Sequence, residues 1–461
     1  MSKSADKPAA AGAGGPVLRD LVGQAARADI PDAALDKASV CFADFLSCSL
    51  EAADLPWSRQ AAGLAAGRSG PAVIVGETDS VSPEDAAFAN AVRGHGLVRE
   101  DMHTGSIAHM GVVIWPVLMA LAPEAKPSGR DVLGAAVAGY EIGGRLGRVL
   151  MTPEVARLFR PTGLIGPLSG TLAGAMLLGL TEDEKVSALA FAANCASGLN
   201  QWPHTGADEM YFHPGFAARN AITAIRLAQL GASGSDNIIE GDAGLVAAIR
   251  RVPFTERISL YPDGACEILS VFNKEVPACN FAQSPCQAAL AARHRLEPGE
   301  SIRSVRVTTY DAALNYPGCA HTGPFATPLQ AKMSIAFGVA AALVRGEIAD
   351  TNYGRLNDPE ITRMISRIGF DLSDALTAAY PARQGVRLCL ETEGGRKIEE
   401  TLDDIRFATP DMIRRRLSAV AASRLGADRA GCLCEHLDSL ASATDFNLVV
   451  QLSRQEPEEA K

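Results

Sequence analysis

The stretch REDMHTGSIAHMG, residues 99–111, brings an arginine, two acids and two histidines together within thirteen residues. Imidazole exchanges protons near neutral pH, and a guanidinium group binds carboxylates in a bidentate manner. His103 and His109 lie six residues apart, about 240° around a helix, whereas the two zinc ligands of an HExxH helix lie four residues apart on one face. This spacing favours acid/base chemistry over metal binding.

Three further polar segments, each beside a predicted helix, enlarge the set of candidate residues. They are FRPTGLIGPLSG (159–170), HTGADEMYFHPGFAARN (204–220) and KEVPACNFAQSPCQ (274–287). Helix N-termini expose backbone N–H groups that favour anions. The four stretches together supply Arg99, Arg160, His103, His109, His213, Lys274 and Cys279. Such a set suits a polycarboxylate substrate, because cations hold carboxylates while imidazole or thiolate groups move protons.

Sequence patterns typical of other enzyme classes are missing. The chain has no GxSxG nucleophile elbow, no GxGxxG after a predicted strand and no P-loop, so neither serine hydrolase chemistry nor a nucleotide cofactor is indicated. The segment CLCEH at 432–436 lacks a second ligand pair at zinc-finger spacing. We therefore expect neither a metal nor an organic cofactor.

Composition limits the partners and the compartment. The formal net charge is −10 and no long basic run occurs, which argues against a nucleic-acid partner. The longest apolar runs are shorter than the roughly 20 residues of a membrane helix. Ten cysteines are scattered without a CxxC pair, and no secretory signal is apparent. We expect a cytoplasmic protein that does not insert into a membrane.

Hydrophobic periodicity predicts a mainly α fold, with a large all-helical domain and a smaller inserted α+β domain. Residues 1–15 have no hydrophobic period and predict a disordered tail. Residues 16–271 and 403–455 are assigned to the helical domain, and residues 272–402 to the α+β domain.

Local signals mark several element boundaries within this plan. Ser128 is a predicted helix N-cap, and Thr181 with Glu184 forms a predicted capping box. SIRSVRVTTY (301–310) alternates as a strand does, and GVRLCLETEGGRKIEETL (385–402) predicts two strands joined at glycines 394 and 395.

Six motifs follow one another along most of the chain. They are FADFLSCSL (42–50), AAFANAVRGHGL (86–97), HMGVVIWPVLMALA (109–122), VAGYEIGGRLG (137–147), RPTGLIGPLSGTLAGAMLLGL (160–180) and HPGFAARNAITAIRLAQLG (213–231). In order and spacing they resemble the MmgE/PrpD family, which includes 2-methylcitrate dehydratase, cis-aconitate decarboxylase and iminodisuccinate epimerase. The resemblance implies a homodimer that needs no cofactor, with an active site between two domains. It also implies proton removal or delivery next to a carboxylate.

Several positions of the family's pocket carry different residues here. The family pattern Asp-x-Asp-Asp-Thr reads Arg99-Glu100-Asp101-Met102-His103, and the histidine six residues after the Thr is retained as His109. The remaining replacements are Arg160 for the His of a His-Pro-Thr motif, Met210 for a lysine, Cys279 for the histidine five residues after Lys274, and Phe337 for a tyrosine. These replacements argue against simple methylcitrate dehydration or cis-aconitate decarboxylation.

The sequence therefore predicts a cofactor-independent lyase or isomerase that acts on a small di- or tricarboxylate. We expect His109 to be the main general acid/base, supported by His103 and Asp101. Cys279 is the candidate for a second proton-transfer group, as epimerisation would require. The residues expected to hold the substrate are Arg99, Arg160, His213 and Lys274.

Two alternatives remain open at the level of sequence. One is a non-catalytic relative that kept the fold and binds polycarboxylates or serves in assembly, since a fold does not determine a function. The other is an enzyme in which Cys279 is a nucleophile.

Overall fold

The computed structural model describes residues 16–456, so the tail predicted at residues 1–15 lies outside the described residues. Most elements of the described chain are helices, which confirms the mainly α prediction. None of the helices within residues 16–456 combines the length and apolarity needed to cross a bilayer.

The helices of the first part are α1 (Val17–Arg27), α2 (Asp32–Glu51), α3 (Pro56–Ala65), α4 (Pro83–His95), α5 (Gly111–Ala125), α6 (Gly129–Leu150), α7 (Pro153–Leu158), α8 (Pro161–Leu177), α9 (Glu182–Asn194), α10 (Trp202–Thr205), α11 (Glu209–Gln229) and α12 (Leu245–Arg250). The later helices are α13 (Gln283–His294), α14 (Asp311–Asn315), α15 (Pro328–Met333), α16 (Ile335–Arg345), α17 (Pro359–Ile365), α18 (Asp374–Ala379), α19 (Pro410–Leu425), α20 (Ala427–Asp438) and α21 (Asn447–Leu452). The strands are β1 (Ser69–Val73), β2 (Ser80–Val81), β3 (Met102–His103), β4 (Val271–Phe272), β5 (Ile302–Thr309), β6 (Ile368–Leu372), β7 (Val386–Thr392) and β8 (Lys397–Leu402).

Helices α5 and α8 form the centre of the helical part. Both are buried over almost their whole circumference, as expected for helices that are apolar on every face. Helix α8 carries Gly166, Gly170 and Gly174 at four-residue spacing, and a Cβ at any of them would press against side chains of α5 and α11. These small residues let three helices pack closely, which accounts for a dense core in a chain with few aromatic residues.

The predicted N-terminal signals of α6 and α9 are confirmed. The Ser128 side chain accepts a hydrogen bond from the backbone N–H of Asp131, and Thr181 and Glu184 form the reciprocal capping box. Each box satisfies backbone donors that have no partner within the helix.

A four-stranded sheet in the order β6-β5-β7-β8 supplies the β structure of the later part. Strands β5 and β6 are parallel, whereas β5–β7 and β7–β8 are antiparallel. The strands predicted at 301–310 and 385–402 are confirmed, with the turn at Gly394 and Gly395. Strand β6 was not predicted, because it follows the helical pattern of α17 directly.

Both parts of the chain contribute to the largest buried apolar cluster. This cluster includes Phe88 and Tyr211 of the helical part together with Val307 and Leu388 of the sheet. After the sheet the chain returns to the first part, where α19 packs along α2. The domain boundaries at 271/272 and 402/403 stay predictions.

The contact between α6 and the returning C-terminal segment gives a first prediction. A Cβ at Gly129 would overlap the carbonyl oxygen of Leu440, whereas a Cβ at Gly134 in the same helix would meet nothing within 4 Å. Gly129→Ala should lower the free energy of unfolding by about 1–3 kcal/mol. Gly134→Ala should raise it by about 0.5–1 kcal/mol, because alanine favours helix. Chemical denaturation of both variants checks this, and equal effects would contradict the docking of this segment on α6.

Candidate active site

The loop between α4 and α5 is held against the segment that precedes Lys274. Strand β3 pairs with β4, so that Met102 lies opposite Phe272 and His103 opposite Val271. The backbone N–H of His109 donates to Thr162 Oγ1 at 3.0 Å, which ties the end of the loop to the first turn of α8. These contacts bring residues from three distant stretches of sequence to one place.

Glu100 is the acid at the centre of this place. Its Oε1 lies 2.6 Å from Nδ1 of His95 and 2.8 Å from Nδ1 of His109, and all three side chains are buried. Burial by itself would raise the pKa of Glu100, but the two imidazoles hold that pKa well below its usual range. Glu100 is therefore a buried carboxylate shared by two histidines.

The hydrogen bonds define which ring nitrogens carry hydrogens. Arg160 Nη2 donates to His95 Nε2 over 3.1 Å, so Nδ1 of His95 is the nitrogen that donates to Glu100. Nδ1 of His109 donates to Glu100 and lies 3.1 Å from the carbonyl oxygen of Asp101. Nε2 of His109 therefore carries no hydrogen, and its lone pair is available to a ligand. Burial, reinforced by the charge of Lys274, lowers the pKa of His109 to about 3, which keeps this ring neutral.

A small cavity of about 30 Å³ lies beside His109. Four of the eight predicted site residues line it, namely His109, Arg160, Lys274 and Cys279. The other lining side chains include Trp202, Met210, Asn280, Phe281, Tyr316 and Met333. The structure thus brings together one histidine, two cations and a thiol that were predicted from separate stretches.

Neither cation at the cavity is paired with a carboxylate of residues 16–456. Lys274 Nζ donates to the carbonyl oxygen of Val98 at 2.9 Å, and burial lowers the pKa of this lysine. Arg160 is 6% exposed, and its buried Nε has no hydrogen-bond partner. Buried charges in proteins are normally paired, so these two side chains are the ones at the cavity that offer hydrogen-bond donors to an anion.

Cys279 contributes a thiol to the same cavity. Its Sγ lies 3.7 Å from Sγ of Cys319, and its backbone N–H donates to the carbonyl oxygen of Lys332. The thiol of Cys319, the backbone N–H of Phe281 and the charges of Lys274 and Arg160 lower the pKa of Cys279 in spite of burial. A thiol with this environment is suited to exchange a proton.

The other four predicted residues lie around the cavity and do not line it. Arg99 Nη2 is 2.7 Å from Glu51, and His103 Nε2 is 2.6 Å from Glu267. Both side chains are therefore engaged by acids of the protein itself.

Asp101 and His213 are also set back from the cavity. The carboxyl group of Asp101 accepts a hydrogen bond from Tyr140, and burial raises its pKa to about 7. Burial and the nearby charge of Arg160 lower the pKa of His213 to about 4. The contacts of Asp101 with Tyr140 and His109 hold the loop that carries His109, and its supporting role stays a prediction.

Two residues of the site, His95 and Glu100, were not among the predicted ones. The sequence signal that could have identified them is their spacing: His95 lies at the end of α4, and Glu100 follows five residues later, in the stretch that contains His109. Glu100 was one of two neighbouring acids there, and the choice between them depends on which carboxylate turns inward.

His95, Glu100 and His109 are also the side chains within residues 16–456 whose ligand atoms lie close enough together to hold a metal ion, within 4.8 Å of one another. Their facing atoms already hydrogen-bond to each other, and Arg160 occupies the remaining nitrogen of His95. A divalent cation would displace these bonds beside two positive side chains. The arrangement therefore fits a hydrogen-bonded acid/base pair better than a metal centre.

Comparison with known proteins identifies related sequences over most of the chain. The model of the MmgE/PrpD N-terminal domain matches residues 17–255, and that of the MmgE/PrpD C-terminal domain matches residues 276–411.

Cis-aconitate decarboxylase of Aspergillus terreus is 25% identical over 403 residues, covering 81% of each chain. The cis-aconitate decarboxylase-like protein oryM of Aspergillus oryzae is 25% identical over 464 residues, covering 92% of this chain and 94% of its own. Human cis-aconitate decarboxylase is 33% identical over 171 residues, covering 36% and 35%.

The neutral state of His109 gives a prediction for stability against pH. Its pKa in the folded protein, about 3, is below the ordinary value of 6.5, so the unfolded chain binds more protons between these pH values. The stability that neutral His109 contributes is complete above pH 6.5 and falls as the pH is lowered toward 3. His109→Gln should reduce the slope of the unfolding free energy in this range by up to about 1.4 kcal/mol per pH unit.

Denaturant titrations between pH 7 and pH 4 measure this slope. Met333→Ala serves as the control, because it alters a lining side chain that does not titrate. It should lower stability equally at every pH, and an unchanged slope in His109→Gln would contradict a neutral, buried His109.

Proposed function

The chain belongs to the MmgE/PrpD family, and on this premise we propose that it is a cofactor-independent enzyme that transfers a proton next to a carboxylate of its substrate. The observation that carries the proposal is the convergence of His109, Arg160 and Lys274 on one cavity, where both cations lack an acidic partner among residues 16–456. Two relatives are named cis-aconitate decarboxylase and cis-aconitate decarboxylase-like protein, which supports a lyase reaction. A dehydratase and an epimerase would both begin by removing this proton, whereas a decarboxylase would use the same group to deliver one.

Substrate binding follows from the charges at the cavity. Arg160 and Lys274 are positive and Glu100 is negative, so the immediate surroundings carry a net charge of about +1 while both imidazoles are neutral. A substrate carboxylate would compensate this charge and fill the missing hydrogen bond of Arg160 Nε. A di- or tricarboxylate is the substrate class that the sequence predicts, and its reacting end would lie here.

Proton transfer would be the task of His109. Glu100 fixes the ring with Nε2 unprotonated, and a bound carboxylate would raise the pKa of the imidazole by adding a negative charge nearby. The ring then becomes a stronger base, and it can accept a proton from the carbon next to the carboxylate. Lys274 and Arg160 would stabilise the negative charge that develops on the substrate oxygens.

The fate of the resulting carbanion determines the reaction type. Departure of a β-hydroxide, which takes up the proton held by His109, gives loss of water. In a decarboxylase the bond to CO₂ would break instead and leave its electron pair on carbon, and His109, having taken up a proton from water when the substrate binds, would deliver that proton. Return of a proton from a second group gives inversion, and Cys279 is the side chain at the cavity for that role. We infer that His109 and Cys279 form the pair of proton-transfer groups.

Replacement of His109 tests the proposed base. His109→Gln should slow turnover at least about a hundredfold, because a general base contributes that much or more. The measurement is deuterium incorporation and product formation from cis-aconitate, 2-methylcitrate and iminodisuccinate in deuterated water. The matched control is His204→Gln, which changes an exposed histidine and should retain activity. Turnover near the wild-type rate in His109→Gln would refute the assignment.

The same assay separates an enzyme from a binding protein. Thermal stabilisation of the wild-type protein by one of these acids, with neither deuterium exchange nor product, would favour the non-catalytic alternative.

Replacement of Cys279 tests the second proton-transfer group. Cys279→Ala should slow inversion of a stereocentre at least about a hundredfold. The exchange of the α-hydrogen by His109, on its own face of the substrate, should persist. Chiral chromatography and mass spectrometry in deuterated water measure the two rates. Cys432→Ser, an exposed cysteine, is the control. Parallel loss of both rates, or loss of neither, would contradict the division of roles.

A further inference from the structure

A second and much larger cleft adjoins the cavity. Its volume is about 770 Å³, and it lies between α7 on one side and α14 and α18 on the other. Clefts of about 300–1,000 Å³ are typical of sites for organic ligands. The helical part contributes Met151 and the rim of α7, and the sheet part contributes three tyrosines, Tyr310, Tyr316 and Tyr380.

The cleft and the cavity share one wall. Ile107, Phe281 and Tyr316 line both. Ile107 has a φ of 53°, which is a strained conformation for a β-branched residue and occurs mostly where function requires it. These three side chains form the boundary between the two spaces.

The two volumes dictate how a substrate can lie. The cavity, at about 30 Å³, has room for about two water molecules, each of which needs about 10–15 Å³ of such space. It can admit a single carboxylate group, but not a whole di- or tricarboxylate. A substrate whose carboxylate reaches Lys274 and Arg160 must therefore extend past Ile107 and Phe281 into the larger cleft.

The wall of the cleft is aromatic. The ring of Phe281 lies 5.2 Å from that of Tyr316 and 6.1 Å from that of Tyr310, and the rings of Tyr310 and Tyr380 stack at 4.9 Å. Such surfaces bind apolar and aromatic groups well.

The charges of the cleft oppose a second anionic group. Its charged lining residues among residues 16–456 are Glu154, Arg157 and Asp311, all exposed at the rim, with a net charge of −1. No buried cation lines it, in contrast to the cavity. A substrate of the simple tricarboxylate type would place carboxylates beside tyrosine rings and acids, where they would lose hydration without gaining a partner.

We propose that the substrate carries an uncharged apolar or aromatic substituent, which lies in the cleft walled by Phe281, Tyr310, Tyr316 and Tyr380 while its carboxylate end enters the cavity. This rests on the proposed function, because it assigns the carboxylate end to Arg160 and Lys274. The substrate is then an alkyl- or aryl-substituted carboxylic acid rather than a small, fully polar one.

Three acids that share one carboxylate end and differ at the other end test this proposal. Isothermal titration calorimetry of the full chain compares propionate, 3-phenylpropionate, which adds a phenyl ring, and succinate, which adds a second carboxylate. 3-Phenylpropionate should bind at least about tenfold more tightly than propionate, because it buries a phenyl ring. Succinate should bind no more tightly than propionate.

Two variants, one that removes cleft wall and one that fills the cleft, localise the effect. Tyr380→Ala removes part of the wall, and Ala312→Trp fills the cleft at another lining position. Each should reduce the tenfold preference to less than about threefold while propionate affinity changes by less than about twofold. Leu372→Ala, an exposed apolar residue outside the cleft, is the control and should retain the full preference.

The outcomes distinguish this proposal from the function on which it rests. No binding of 3-phenylpropionate, equal affinity for propionate and 3-phenylpropionate, tighter binding of succinate than of 3-phenylpropionate, or an undiminished preference in both cleft variants would overturn the apolar substituent. If Arg160→Leu binds propionate as the wild type does, the cavity is not the carboxylate site and the proposed function fails. Loss of propionate binding in Arg160→Leu, together with no phenyl preference in the wild type, would overturn the substituent alone.

Discussion

The shared carboxylate of Glu100 is the interaction on which the rest of the site depends. A buried carboxylate is costly unless it has partners, and removal of one partner from such a group is strongly destabilising. Here His95 at the end of α4 and His109 just before α5 both contact Oε1, while the buried Oε2 has no hydrogen-bond partner among the described residues. The contact therefore sets the distance between two helices and the orientation of both rings. Any chain path that separated α4 from α5 would leave a buried negative charge without partners.

The fold provides this geometry through packing rather than through the polar residues themselves. The glycines of α8 let α5 and α11 approach closely, and the first turn of α8 carries both Arg160 and Thr162 to the loop that ends at His109. The short pairing of β3 with β4 then fixes the segment leading to Lys274. Small apolar residues thus determine where the cations and the imidazoles lie, which explains why a chain with 5% aromatic residues can still build a precise polar site.

Local signals in the sequence predicted much of the fold and part of the site. Capping boxes and strand alternation depend on neighbouring residues, so Thr181 with Glu184 and the 385–402 hairpin could be predicted without any tertiary information. The direction of a side chain in an irregular loop has no such signature. Arg99 turns to Glu51 whereas the next residue, Glu100, turns inward.

In the proposed mechanism, electrostatics would link binding to chemistry. Burial and Lys274 lower the pKa of His109 to about 3, so the ring is a weak base that stays neutral. A carboxylate between Arg160 and Lys274 would offset the positive charge that lowers this pKa, and the rest of the substrate would exclude water from the cavity. The base would thus gain strength when its substrate is in place. Two buried cations without an acidic partner among the described residues lower the stability of the protein, and on this proposal substrate binding is what they serve.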